Sequence, residues 1–230
     1  MQREKIKRMK AKLIVIDGAD NSGKATQTEL LRTRLLEDGF SVGTMDFPRY
    51  TQNTFGKLIK ESLLGFHGDF MKNDPRIASV LYAADRFESK GELFKLLEEN
   101  DVVVLDRYVS ANMLHQGAKI EDETERKEFL LWLEHVEHDI FGLPKPDLTV
   151  MLEVSPEHSE EVLRLMVAQG VKTADVAEQD REHQKRVAHC LSWLSSMREN
   201  WSTIQCSKGE VLRSREDIHE ELVSIVKRIL

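Results

Sequence analysis

Residues 12–30 read KLIVIDGADNSGKATQTEL, an apolar run that breaks into a glycine loop, and the loop opens a helical pattern. Lys12 to Asp17 is dense in Leu, Ile and Val and barely alternates, as expected of a strand buried on both faces. Gly18-Ala19-Asp20-Asn21-Ser22-Gly23-Lys24 matches G-x-x-x-x-G-K, the phosphate-cradling P-loop motif. Its glycines let successive backbone N–H groups turn inward around a polyphosphate. The helix start adds unpaired N–H groups and the positive end of its dipole. Lys24 brings a mobile positive charge to the outer phosphates. A plain glycine turn between a core strand and a surface helix would not need the Gly-Lys pair. The spacing predicts a nucleotide phosphate site.

One position departs from the motif. A P-loop normally continues with Ser or Thr, whose hydroxyl coordinates magnesium. Here that residue is Ala25, followed by Thr26. A methyl group cannot ligate a metal, so magnesium would lean on phosphates, waters and nearby carboxylates. Thr26 remains able to hydrogen-bond a phosphate from the first helical turn.

At 230 residues the chain fits one α/β domain with a sizeable core. The net charge of −7 argues against a non-specific nucleic-acid binder, which needs basic surface to release counterions. Residues 1–10, MQREKIKRMK, form a basic extension without the apolar stretch of a secretory signal. No run approaches the ~18 apolar residues of a membrane span. Cys190 and Cys206 lack metal-ligand spacing and read as buried reduced thiols, which fits a reducing cytoplasm.

Strand-like runs recur at 12–17, 41–47, 101–106, 148–154 and 203–206, with helical patterns at 23–38, 54–64, 76–98, 124–138, 178–200 and 214–229. This alternation predicts a parallel sheet covered on both faces, with ligands beyond the carboxyl ends of its strands. Three constellations lie there. DVVVLDRY ends in Asp106-Arg107-Tyr108, and an acidic residue closing a buried strand beside a P-loop is placed to meet magnesium. Arg107 adds a planar fork suited to a second phosphate; the alternative is a surface Asp–Arg pair. Phe47-Pro48-Arg49-Tyr50 reads either as a base-stacking Phe with an Arg or Tyr reaching a phosphate, or as a core Phe with a solvated Arg. After the fourth strand, a helix carrying Arg164 leads into Gln169-Gly170-Val171-Lys172-Thr173-Ala174-Asp175. That segment suits a lid closing over phosphates, or an ordinary surface loop.

Together the ordered landmarks GADNSGKAT (18–26), FPRY (47–50), LYAADR (81–86), LDRYVSAN (105–112) with HQGAK (115–119), and PDLTVMLEVSPE (146–157) resemble the thymidylate kinase family of P-loop nucleoside-monophosphate kinases. The resemblance implies a three-layer α/β/α fold with a five-stranded parallel sheet and a short lid near residues 158–177. It makes residues 11–230 a single kinase domain. It also implies a homodimer that transfers the ATP γ-phosphate to dTMP with Mg2+, while cysteine usage, net charge and the apolar runs give the expectation of a cytoplasmic protein without nucleic acid or membrane as partner. By position, Gly18, Ala19, Asp20, Asn21, Ser22, Gly23, Lys24, Ala25 and Thr26 would hold ATP. Phe47 would stack on thymine, Tyr50 and Arg107 would hold the acceptor phosphate, and Arg86 and Asn112, with Tyr82 alongside, would read the base. Asp20 would approach the sugar or the metal, Asp106 the metal, and Glu178 the acceptor. His115 stands where several members carry a tyrosine near the sugar. Asn21 stands where some members carry a catalytic arginine, which leaves Arg164, Lys172 and Arg181 in the lid, Arg164 being assigned with Lys24, Asp20 and Arg107 to catalysis. A deoxynucleoside kinase, or a catalytically weak nucleotide-binding protein, is the competing reading.

Overall fold

Strand β1 (Lys12–Gly18) forms the middle of a five-stranded parallel sheet. Its order is β2 (Val42–Asp46), β3 (Val102–Asp106), β1, β4 (Leu148–Glu153), β5 (Trp201–Gln205). The computed structural model describes residues 11–171, 173–209 and 211–230; the basic extension over 1–10 and Lys172 lie outside the described residues. The near-continuous apolar character of β1 has a direct cause. Leu13 and Val15 point into one core, with Phe129, Leu133, Leu191 and Leu194, while Ile14 and Ile16 point into the other, with Leu31, Leu35, Leu222 and Val226. Each such side chain contributes about 1.5–3 kcal/mol by leaving water, so both helical layers are held to the sheet through this one strand.

Helix α1 (Lys24–Glu37) and the C-terminal α10 (Arg215–Val226) cover the second face. The first face is covered by α4 (Lys90–Glu99), α5 (Val109–Gly117), α6 (Glu123–Glu134) and α9 (Arg181–Ser196). Helices α2 (Thr54–Leu63), α3 (Pro75–Glu88), α7 (Pro156–Ala168) and the short α8 (Val176–Gln179) surround the carboxyl ends of the strands. Register carries Ile16 opposite Asp106 and Gly18 opposite Leu152, so the ends of β1, β3 and β4 converge. Among the described residues no helix is long and apolar enough to cross a membrane.

Three expectations need correction, and two elements were missed. The helix expected over 76–98 breaks at Ser89, where Asn53 donates its amide to the Asp85 carbonyl at 3.0 Å and to the Ser89 hydroxyl at 2.9 Å. The helix expected over 124–138 ends at Glu134 and passes into a π-helical turn, His135–Ile140. The helix expected over 178–200 is two, α8 and α9, separated at Asp180, whose side chain caps α9 through the His183 N–H. Helix α5 was not foreseen, nor was the small hairpin Ser207–Lys208 with Val211–Leu212.

Candidate active site

The glycine loop is shaped by close approach. Gly18 has φ 129°, and a Cβ there would lie 2.1 Å from the Leu152 carbonyl oxygen, so no other residue fits. Gly23 caps α1 in a left-handed conformation, φ 88°, and no side chain caps that helix. Its first N–H groups are therefore left for an anion. Lys24 is buried and donates to the Ala19 carbonyl at 2.6 Å, which keeps its ammonium inside the loop. Burial, then repulsion from Arg107, pulls its pKa down to about 8. The Ser22 hydroxyl oxygen is buried without a partner, an orphan that a phosphate oxygen would satisfy. Ala25 and Thr26 are exposed on the first turn, and the Asn21 amide reaches Ser159 at 3.4 Å.

Arg107 leaves β3 at φ 66°, a strained backbone for a non-glycine residue, while its N–H donates to the Ile16 carbonyl at 2.9 Å. This turn sends the guanidinium across the strand ends. Nη2 donates to Asp20 Oδ1 at 2.7 Å, and Nη1 lies 3.4 Å from His115 Nε2. Gln184 of α9 donates to the other Asp20 oxygen at 3.1 Å. Burial opposes ionisation of Asp20, but the surrounding His115, Arg107 and Lys24 outweigh it and hold its carboxyl well below the usual range. Asp106 differs: burial raises its carboxyl in spite of Arg107 and Lys24.

A cleft of about 680 Å³ opens beside this cluster. Asp20, Arg107 and His115 line one part of it; Phe47, Tyr50 and Tyr82 line another, and Arg86 and Asn112 contribute polar groups. The residues expected on the acceptor side are thus brought together, with one exception. Glu178 lies in a neighbouring groove and completes a capping box with Asp175, which itself lines the cleft. Of the two candidates in FPRY, Tyr50 faces the cleft, whereas the Arg49 guanidinium turns away to Glu92 at 2.9 Å. Phe47 is buried against Tyr108, ring centroids 5.9 Å apart, and still forms part of the wall.

Where the sequence suggests a lid, α7 is N-capped by Ser155 and the chain turns at Gly170, φ 69°. Exposed Arg164 lines the neighbouring groove together with Asp20 and Asn21 of the loop. Arg181 lines it too, but its guanidinium is held by Glu160 at 2.6 Å.

Sequence reasoning missed several residues. Asp17 is fully buried under the loop and accepts from Ser110 at 2.6 Å. Gln116 and His183 line the cleft, each with a buried, unpartnered side-chain atom. Gln184 ties α9 to Asp20, and Glu137, fully buried, pairs with Arg86. Asp17, adjoining the motif, was the most accessible of these; the others come from distant helices with no local signal.

The donor set suits a hard cation. Among the described residues no cluster of three or more His, Cys, Asp or Glu could by itself hold a metal. Magnesium does not need one, since it keeps several waters and takes one or two carboxylates with substrate phosphates. Asp106 fits that part better than Asp20, whose two oxygens are occupied by Arg107 and Gln184.

The family described as Thymidylate kinase matches residues 16–218. A thymidylate kinase of Mycobacterium tuberculosis (strain H37Rv) is 37% identical over 185 residues, covering 80% of this chain and 86% of that protein. A probable thymidylate kinase of Pyrococcus horikoshii is 32% identical over 226 residues, 96% of this chain and 98% of that one. A solved thymidylate kinase from Candida albicans, 24% identical, aligns with a TM-score of 0.69 over 95% of this chain and 92% of its own, a likeness of fold.

Proposed function

The chain belongs to the thymidylate kinase family, and we propose that the cleft beside its glycine loop is where dTMP receives the γ-phosphate of ATP. The enzyme is an ATP-dependent nucleoside-monophosphate kinase that forms dTDP and ADP. One observation carries the reading of the site: Arg107 joins the loop carboxylate Asp20 to the cleft wall at His115, so donor and acceptor phosphates would meet at a single guanidinium.

Phosphoryl transfer asks for positioning and charge neutralisation more than covalent help. In this reading the loop from Gly18 to Thr26 holds ATP, with Lys24 leaving the Ala19 carbonyl for the outer phosphates. Arg107 and Tyr50 hold the dTMP phosphate. Phe47 and Tyr82 flank the base, Arg86 and Asn112 read its edge, and Asp20 and His115 face the sugar. Arg164 is the lid cation nearest in role to a transition-state arginine, because Arg181 is already paired with Glu160. Glu178 acts through the lid, by fixing Asp175. Asp106, with Asp20 as a second carboxylate, would hold Mg2+, which supplies neutralisation of phosphate charge.

The proposal extends to one kinase domain over residues 11–230 working in the cytoplasm. It also includes a homodimer, for which the exposed apolar side chains Phe66, Ile77 and Val80 near α2 and α3 offer a surface. The deciding experiment measures ADP release with ATP and Mg2+ over dTMP, dUMP, dCMP and thymidine. Turnover with dTMP and none with thymidine is expected; the reverse would establish a nucleoside kinase.

A further inference from the structure

Arg86 and Asn112 line the cleft, and one carboxylate holds both from behind. Glu137 sits fully buried on the π-helical turn after α6 and does not itself line the cleft. Its Oε2 accepts from Arg86 Nε at 2.9 Å, and its Oε1 accepts from Arg86 Nη2 and from Asn112 Nδ2, the latter at 3.2 Å. The Asn112 amide also donates to the Ser79 carbonyl at 3.1 Å. With both amide hydrogens spent, Asn112 Oδ1 is left buried and without a protein partner. Asn112 can therefore offer a ligand only an acceptor. Arg86 Nη1 donates to the Tyr108 carbonyl at 3.4 Å, and a guanidinium has N–H donors left over.

The pyrimidine edge decides what fits such a pair. Thymine and uracil present the O4 acceptor beside an N3–H donor, whereas cytosine presents an amino donor beside a bare N3 acceptor. A donor from Arg86 next to an acceptor from Asn112 complements the first edge and meets the second with like groups. A flipped Asn112 amide would suit cytosine. That flip would set Oδ1 against the Glu137 carboxylate and the Ser79 carbonyl, acceptors with no hydrogen between them. Buried ion pairs add little net stability, so a fully buried Arg–Glu pair here calls for another use.

We infer that Glu137 is a positioning residue, which locks the Asn112 amide and the Arg86 guanidinium in the arrangement that selects pyrimidines carrying N3–H. The inference rests on reading the cleft as the acceptor site. The π-helical turn is part of the device, because the extra residue in that turn brings an acidic side chain inward from a stretch otherwise rich in exposed charge.

The test compares wild type, Glu137→Gln and Glu137→Asp in initial-rate assays with dTMP and dCMP, with ATP affinity measured separately by calorimetry. Glu137→Gln releases the amide. The ratio of kcat/KM for dTMP over dCMP should contract by about tenfold to a hundredfold, chiefly through KM, with ATP affinity unchanged. Glu137→Asp keeps a charge opposite Arg86 for folding and withdraws the oxygens by one methylene, so it should show the same contraction to a smaller degree. An unchanged ratio, or losses in equal proportion for both nucleotides, in a variant that still binds ATP would overturn the role of Glu137. A wild type that does not prefer dTMP to dCMP would instead overturn the acceptor-site reading beneath it.

Discussion

Arg107 Nη2 donates to Asp20 Oδ1 at 2.7 Å, although the two residues stand 87 positions apart in the chain. The pair links the end of β3 to the glycine loop, and it holds a half-buried guanidinium between that loop and the cleft. Asp20 in turn receives Gln184 from α9, so α9, the glycine loop and the end of β3 share one carboxylate.

Arg107→Ala is expected to weaken dTMP binding far more than ATP binding. Losing a charge-assisted bond to the acceptor phosphate, and leaving Asp20 without its ion pair, should cost about 2–4 kcal/mol. Calorimetric titration of each nucleotide checks this. Equal losses for dTMP and ATP would move Arg107 to the donor side.

Lys24 makes a prediction that pH can read. Its pKa lies near 8 in the free protein, because burial and Arg107 disfavour the charged form. ATP phosphates would favour that form, so binding above pH 8 should take up a proton, and affinity should fall as pH rises further. Calorimetry in buffers of different ionisation enthalpy at pH 8.5 reports the proton directly. Lys24→Ala should abolish the uptake and reduce turnover by about 10³-fold or more. A folded variant with near-normal turnover would remove the site assignment.

His115 and His183 face each other across 6.0 Å, and burial lowers their pKa values to about 3 and about 4. Both are neutral when folded at pH 7, while in the unfolded chain both protonate near 6.5. Between pH 6.5 and about 4 the unfolded state therefore binds more protons, and stability must fall as pH falls through that window. His183→Leu removes one of these sites. Its melting temperature should decline less than that of wild type between pH 7 and pH 5. Parallel declines would show that His183 already titrates normally in the fold.

The parts of this site that were legible in the sequence are those encoded locally. Gly18 to Lys24 announces itself because the loop geometry needs glycines at fixed spacing, and Asp106-Arg107 because it terminates a run of buried valines. Helix α5 escaped notice although it carries Asn112, His115 and Gln116. It is only nine residues long, starts at Tyr108 without a side-chain cap, and is buried nearly all round, so it shows neither a start signal nor an amphipathic period. Glu137 was hidden for the opposite reason. EHVEHDI looks like solvated charge, and only a π-helical turn brings its middle carboxylate inside. Gln184 reaches Asp20 across 164 positions, a contact that tertiary packing alone creates.

Ala25→Thr tests the position where the loop departs from its motif. Ala25 is exposed at the mouth of α1, so a threonine side chain would meet no core packing there. Its hydroxyl would stand where P-loops place a magnesium ligand, relieving Asp106 of part of that work. Nucleotide affinity should stay similar or improve, and the magnesium concentration giving half-maximal rate at fixed ATP should drop. Titrating both proteins with magnesium under identical conditions makes the comparison. The same half-activating concentration in both would make Ala25 immaterial to the metal. A wild type that is silent until Thr occupies this position would instead mark the natural chain as a weak nucleotide binder, and would place the loss of catalysis at one methyl group.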